Sequence, residues 1–166
     1  MKTKKIAIYG VLIALAFIFS YIETLIPMPT SGIAPGIKIG LANMVVMVAL
    51  YKMGNKEAFT LSIIRVILFS FVFGNLFSLL YSLSGGILSC IFMIMAKKTN
   101  RLSSIGVSVI GGVVHNIGQI LMAMIIVEST KIIFYLPILL ISGVISGVTI
   151  GIIASIIIKH TKKITI

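Results

Sequence analysis

Aspartate is absent from this chain of 166 residues, and Glu23, Glu57 and Glu128 are its only acids. Magnesium and diphosphate chemistry built on aspartate-rich motifs is therefore beyond the chain alone, and a Ser-His-Asp triad fails for want of its acid. No Gly-x-x-x-x-Gly-Lys-Ser/Thr run occurs, so any ATP hydrolysis must come from another subunit. Cys90 is the one cysteine, which excludes an intrachain disulfide and a Cys-rich metal site. The two histidines, His115 and His160, lie too far apart in depth to share a membrane haem. With no acid near His115, a zinc or di-iron site also lacks ligands. An intramembrane base at His115 would have no acidic partner to orient it. The expectation is a protein that is not an enzyme, with no metal and no cofactor.

Charge is scarce too, at 10% of residues, against 59% hydrophobic and a mean hydropathy of +1.23. Those values define a membrane protein. A hydrocarbon core about 30 Å thick needs roughly 20 apolar residues per helix. The chain thus has room for a single all-α bundle of six transmembrane helices over 1–166, with short loops and no soluble domain. The net charge of +11 does not indicate nucleic acid, because the basic residues sit at the ends of apolar segments and act as topology signals. Lys2, Lys4 and Lys5 resemble a signal-peptide n-region, but the apolar run behind them continues for a full span, which predicts a retained first helix.

The expected spans are 6–27, 37–53, 57–73, 76–96, 104–127 and 132–158. Pro27 and Pro29 stop the first. With six spans, the N-terminal lysines, Lys52 and Lys56, Lys97, Lys98 and Arg101, and Lys159, Lys162 and Lys163 all fall on one side. Only Lys38 and Lys131 fall on the other, so both termini are expected in the cytoplasm.

Against this apolar background the polar residues stand out. Gly111 to Gln119 places His115, Asn116 and Gln119 inside a hydrophobic segment, with His115 and Gln119 on one helix face and glycines that admit close neighbours. Unsatisfied polar groups in hydrocarbon cost several kcal/mol by order of magnitude, so these must face a bundle interior or a cavity. Arg65 lies about 12 Å into its span at 1.5 Å per residue, where insertion of an arginine costs about 2.5 to 3.5 kcal/mol. It either binds an anionic ligand or pins helices through carbonyls and polar side chains. The His115 cluster has the same two readings. Asn43 and Asn75 fall nearer the outer end, together with Glu23, which is read as too far from Arg65 to pair with it. Ser82, Ser84, Ser142 and Ser146 fall near the middle. Such a spread fits a cavity open to the outside. Ala7, Gly10 and Ala14 form a small-residue stripe for helix contact, inside the bundle or against another membrane protein.

Gly36-Ile37-Lys38-Ile39-Gly40-Leu41-Ala42-Asn43, the Arg65 helix followed by Phe73-Gly74-Asn75-Leu76-Phe77-Ser78, Ser84-Gly85-Gly86 and His115-Asn116-Ile117-Gly118-Gln119 together resemble the Gx transporter family. That family is also labelled heptaprenyl diphosphate synthase component I, and it is similar to the substrate-binding S components of energy-coupling factor (ECF) transporters. The resemblance implies a six-helix subunit of the cell membrane that captures a micronutrient such as a vitamin from outside. A transmembrane partner subunit and two ATPase subunits would supply the power stroke. S components meet that partner through an alanine-x-x-x-alanine pattern on the first helix, matched in spacing here by Gly10 and Ala14, with Ala7 one turn earlier. The synthase label conflicts with the missing aspartates as an activity.

The expectation is therefore a solute-capturing subunit whose ligand sits in an outward-facing cavity among helices three to six, capped by a lid from Met28 to Ile37. Arg65 offsets negative charge on the solute, while Asn43, Asn75, Ser84, His115, Asn116 and Gln119 exchange hydrogen bonds with it. The alternative is a membrane anchor or assembly subunit for isoprenoid-quinone or flavin-linked redox enzymes, itself no prenyl diphosphate synthase.

Overall fold

The computed structural model describes residues 2–26 and 39–161, and the lid expected from Met28 to Ile37 lies outside them. The described chain forms six α-helices: α1 Lys2–Leu25, α2 Leu41–Lys52, α3 Asn55–Phe73, α4 Leu76–Lys98, α5 Ser104–Val127 and α6 Leu136–His160. A 3-10 turn, Thr130–Tyr135, leads into α6. Each boundary has a local cause. The Asn75 carboxamide accepts from Ser78 N at 2.8 Å and starts α4, and the Ser103 hydroxyl does the same for α5 through Gly106 N at 3.2 Å. Gly40, at φ 87°, turns the chain into α2 in a conformation that favours glycine.

Four helical stretches are long and apolar enough to cross a membrane: Thr3–Leu25, Leu76–Lys98, Ser104–Val127 and Thr130–His160. The two others differ from the expected spans for distinct reasons. With 12 residues, α2 rises only about 18 Å. In α3 the length suffices, but Lys56, Glu57 and Arg65 interrupt the apolar run.

The shortest helix is the most enclosed. Ala42, Met44, Val45, Val46, Met47, Ala49 and Leu50 of α2 are all buried, as expected for a helix that is apolar all round. It packs on α1, α3 and α6 and anchors a core that includes Leu61, Cys90, Met93, Val107 and Ile150. On the far side, α4, α5 and α6 form a layer set by small residues. A Cβ on Gly147 would lie 2.6 Å from Val109 Cα, and one on Gly151 would lie 2.9 Å from Ile105 Cα. The four-residue glycine spacing at 143, 147 and 151 thus lets the antiparallel backbones of α5 and α6 nearly touch.

One end of the bundle gathers the positive charge. Lys5 Nζ pairs with Glu57 at 2.6 Å, tying the start of α1 to the start of α3. Lys97 Nζ donates to the Leu50 carbonyl at 2.5 Å, tying the end of α4 to the end of α2. At the opposite end, Glu23 of α1 meets the first turn of α2.

Candidate functional site

A polar cavity of about 60 Å³ lies between the helices, and every one of the six contributes to it. Ser20 and Glu23 come from α1, Ala42 and Asn43 from α2 with Gly40 before it, and Arg65, Val66, Phe69 and Ser70 from α3. The far wall is Ser82 of α4, Gly112, His115 and Asn116 of α5, and Ser146 of α6. Helical spacing explains the near walls. Ala16, Ser20 and Glu23 share the inner face of α1, where Ala16 is fully buried and Ser20 nearly so.

Arg65 is the centre of this cavity. Only 8% of it is exposed, and its Nη2 donates to Asn43 Oδ1 at 2.6 Å. Its Nε is buried without a hydrogen-bond partner among the described residues. Glu23 faces the same space, but the two make no direct ion pair; among the described residues the one ion pair is Lys5 with Glu57. The Glu23 Oε1 instead accepts from the backbone N–H groups of Gly40 and of Leu41, the latter at 2.8 Å. The carboxylate thereby satisfies two of the N-terminal donors that α2 leaves unpaired.

The residues singled out in the sequence divide in two. Asn43, Arg65, His115 and Asn116 are brought together around the cavity. Asn116 also donates from Nδ2 to the Leu139 carbonyl at 2.5 Å, joining α5 to α6. Asn75, Ser84 and Gln119 are not part of the cavity wall. Asn75 is exposed and caps α4, and Ser84 donates at 2.9 Å to the carbonyls of Gly118 and Tyr81, which holds α4 against α5. Gln119 is almost wholly buried beside Gly85, and neither amide atom has a partner among the described residues. Among the described residues there is no group of three or more His, Cys, Asp or Glu side chains placed to hold a metal.

Ser20, Val66, Phe69 and Ser70 line the cavity without having been singled out in the sequence, and Glu23 was counted in the polar inventory but not among the site residues. Glu23 carried a signal, being an acid within an apolar helix, where ionisable residues mark function or a partner. It makes no ion pair with Arg65, as expected, and instead holds the first turn of α2 at the cavity edge.

A second cavity of about 420 Å³ is apolar, lined by Phe77, Tyr81, Ile120, Ala123, Ile126, Tyr135 and Leu139 among others. It lies between the end of α5 and the starts of α4 and α6.

The described residues are all-helical, with four helices long and apolar enough to cross a membrane and a polar cavity between the helices, which is compatible with a membrane-embedded class of protein. The family described as heptaprenyl diphosphate synthase component I matches residues 12–157, and the chain belongs to it. No curated protein and no solved structure matches the chain.

Proposed function

We propose that this protein is the solute-capturing membrane subunit of an ATP-driven importer of the ECF type, and that it is not an enzyme. The observation that carries the reading is Arg65: a buried cation with a spare donor, held at the wall of a polar cavity by a neutral amide. A charge in hydrocarbon is retained where it does work. In this reading α1 to α6 are all membrane segments, with the short α2 enclosed by its neighbours. Both termini lie in the cytoplasm, because the basic end of the bundle carries Lys5, Lys52, Lys56, Lys97 and Lys98. The cavity opens toward the opposite face of the cell membrane. Arg65 and Asn43 grip the solute, with His115 and Asn116 opposite.

Two further features support a partner. Ala7, Gly10 and Ala14 all lie exposed on the outward face of α1, and a Cβ on Gly10 would meet nothing within 4 Å. That stripe suits a transmembrane partner subunit, to which two ATPase subunits would attach. The family's description favours a second reading, a membrane component that assembles with a prenyl diphosphate synthase. The absence of aspartate from this chain leaves such catalysis to another subunit.

Native mass spectrometry of the gently purified full chain tests both readings. Capture predicts a small molecule of defined mass that is lost in Arg65→Ala. A wild-type protein that is folded, empty after mild extraction and bound to a synthase subunit would replace the importer reading with the assembly one.

A further inference from the structure

The importer reading leaves the solute's chemistry open, and the cavity narrows it. Arg65 and Glu23 line one cavity, yet the hydrogen bonds each makes go to neutral groups rather than to the other. Arg65 Nη2 donates to Asn43 Oδ1 at 2.6 Å, and Glu23 Oε1 accepts backbone N–H groups of Gly40 and Leu41. The guanidinium is more than nine-tenths buried and its Nε remains without a partner among the described residues. A space of about 60 Å³ holds roughly two to four water-sized groups. Arg65 and Glu23 both line that space, so an occupant that meets Arg65 also lies in the field of Glu23.

A simple anion would gain Arg65 and be repelled by Glu23. A simple cation would meet the reverse. An electroneutral polar solute would leave the buried Arg65 Nε without a charged acceptor. A dipolar group satisfies all three constraints: its carboxylate takes Arg65 Nε, and its ammonium faces the Glu23 carboxylate across the cavity.

We propose that the Arg65 cavity binds a zwitterion, an amino-carboxylate head group, with Glu23 as the residue that selects the positive end. The inference rests on the capture reading and deepens it. The volume limits the enclosed portion to the head group itself, since cavities for whole drug-sized ligands run to about 300 Å³ or more.

The test is thermal unfolding of the detergent-purified full chain, titrated with three matched series. Glycine, β-alanine and 4-aminobutyrate vary the separation of charges; acetate, propanoate and butanoate remove the ammonium; methyl-, ethyl- and propylammonium remove the carboxylate. Inorganic phosphate is a further anion. At least one amino acid is expected to stabilise the wild type at a concentration about tenfold or more below its matched carboxylate and amine, the scale of one charged hydrogen bond. Glu23→Gln keeps an acceptor for the Gly40 and Leu41 N–H groups while removing the charge. It should abolish that preference, with the carboxylates binding at least as tightly as to the wild type. Arg65→Lys should weaken both series.

Carboxylates or phosphate that bind as well as every amino acid would overturn the proposal, as would a preference that survives Glu23→Gln or a wild type that responds to none of the probes. A copurified ligand that bears only negative charge, lost in Arg65→Ala, would overturn the zwitterion while leaving capture standing. Absence of any bound molecule from a folded chain would remove both.

Discussion

Replacing Arg65 by methionine separates a ligand-binding arginine from a structural one. On the proposed reading that α3 lies in the membrane, the substitution removes a charge whose placement there costs about 2.5 to 3.5 kcal/mol on insertion scales. It also removes the Nη2 bond to Asn43 Oδ1 at 2.6 Å, and a hydrogen bond to a charged group contributes about 1.5 to 3 kcal/mol. Glu23 keeps its two backbone donors, so the variant does not strand it. The balance for the ligand-free protein runs from about 0.5 kcal/mol of loss to about 2 kcal/mol of gain. Methionine fills much of the arginine's volume, which limits the cavity term. Reversible unfolding in mixed micelles, after removal of any bound solute, measures this directly. Arg65→Met is expected to be as stable as the wild type or more so, while failing to retain ligand. A loss above about 3 kcal/mol in the ligand-free state, the scale of breaking a buried charge pair, would make Arg65 a helix pin and refute its assignment to capture.

Other substitutions probe the packing around the site. Gly147→Ala would set a Cβ 2.6 Å from Val109 Cα, so unfolding should report an overpacking loss of about 1 to 3 kcal/mol. An unchanged midpoint would contradict the close α5–α6 approach. Gly10→Leu points into open space and should alter stability by less than about 0.5 kcal/mol. On the proposed importer reading it should nonetheless reduce copurification of a transmembrane partner subunit; retention of such a partner at wild-type levels would remove the α1 stripe from the proposed interface. Gln119→Met deletes two buried amide atoms that lack partners among the described residues, so it should stabilise the chain by about 1 to 3 kcal/mol. Destabilisation would mean that Gln119 holds a water or a solute.

Much of the helix layout can be read from the chain because its punctuation is local. Span four was expected at 76–96 and span five at 104–127, and the helices run Leu76–Lys98 and Ser104–Val127, where Asn75 and Ser103 supply the caps. Apolar pattern is less informative where two backbone forms share it. The sixth span was expected from 132, yet Thr130–Tyr135 is a 3-10 turn and α6 starts at Leu136, with a proline in its first turn. The second span was expected from 37, and Gly40 with its left-handed backbone holds the described start of α2 at Leu41.

The site was legible in its parts and not in its pairings. Arg65, Asn43, His115 and Asn116 are conspicuous as polar groups in apolar segments. That Arg65 meets Asn43 depends on how α2 and α3 pack, which no local pattern encodes. Glu23 was assigned to the outer face by its depth along α1, and the lateral fold brings it to the same cavity. Asn75 and Ser84 attracted attention for the same polarity, and the backbone claims both. The glycines at 143, 147 and 151 drew no reading from the sequence. Their meaning emerged only once α5 lay against them.

The most direct measurement is an experimental density map of the wild-type chain in lipid nanodiscs, prepared without stripping bound solute. The account predicts non-protein density in the cavity, within hydrogen-bond distance of the Arg65 guanidinium and facing Glu23. A cavity filled by ordered water alone, in a preparation that native mass spectrometry shows to carry a bound small molecule, would contradict it by placing the solute elsewhere.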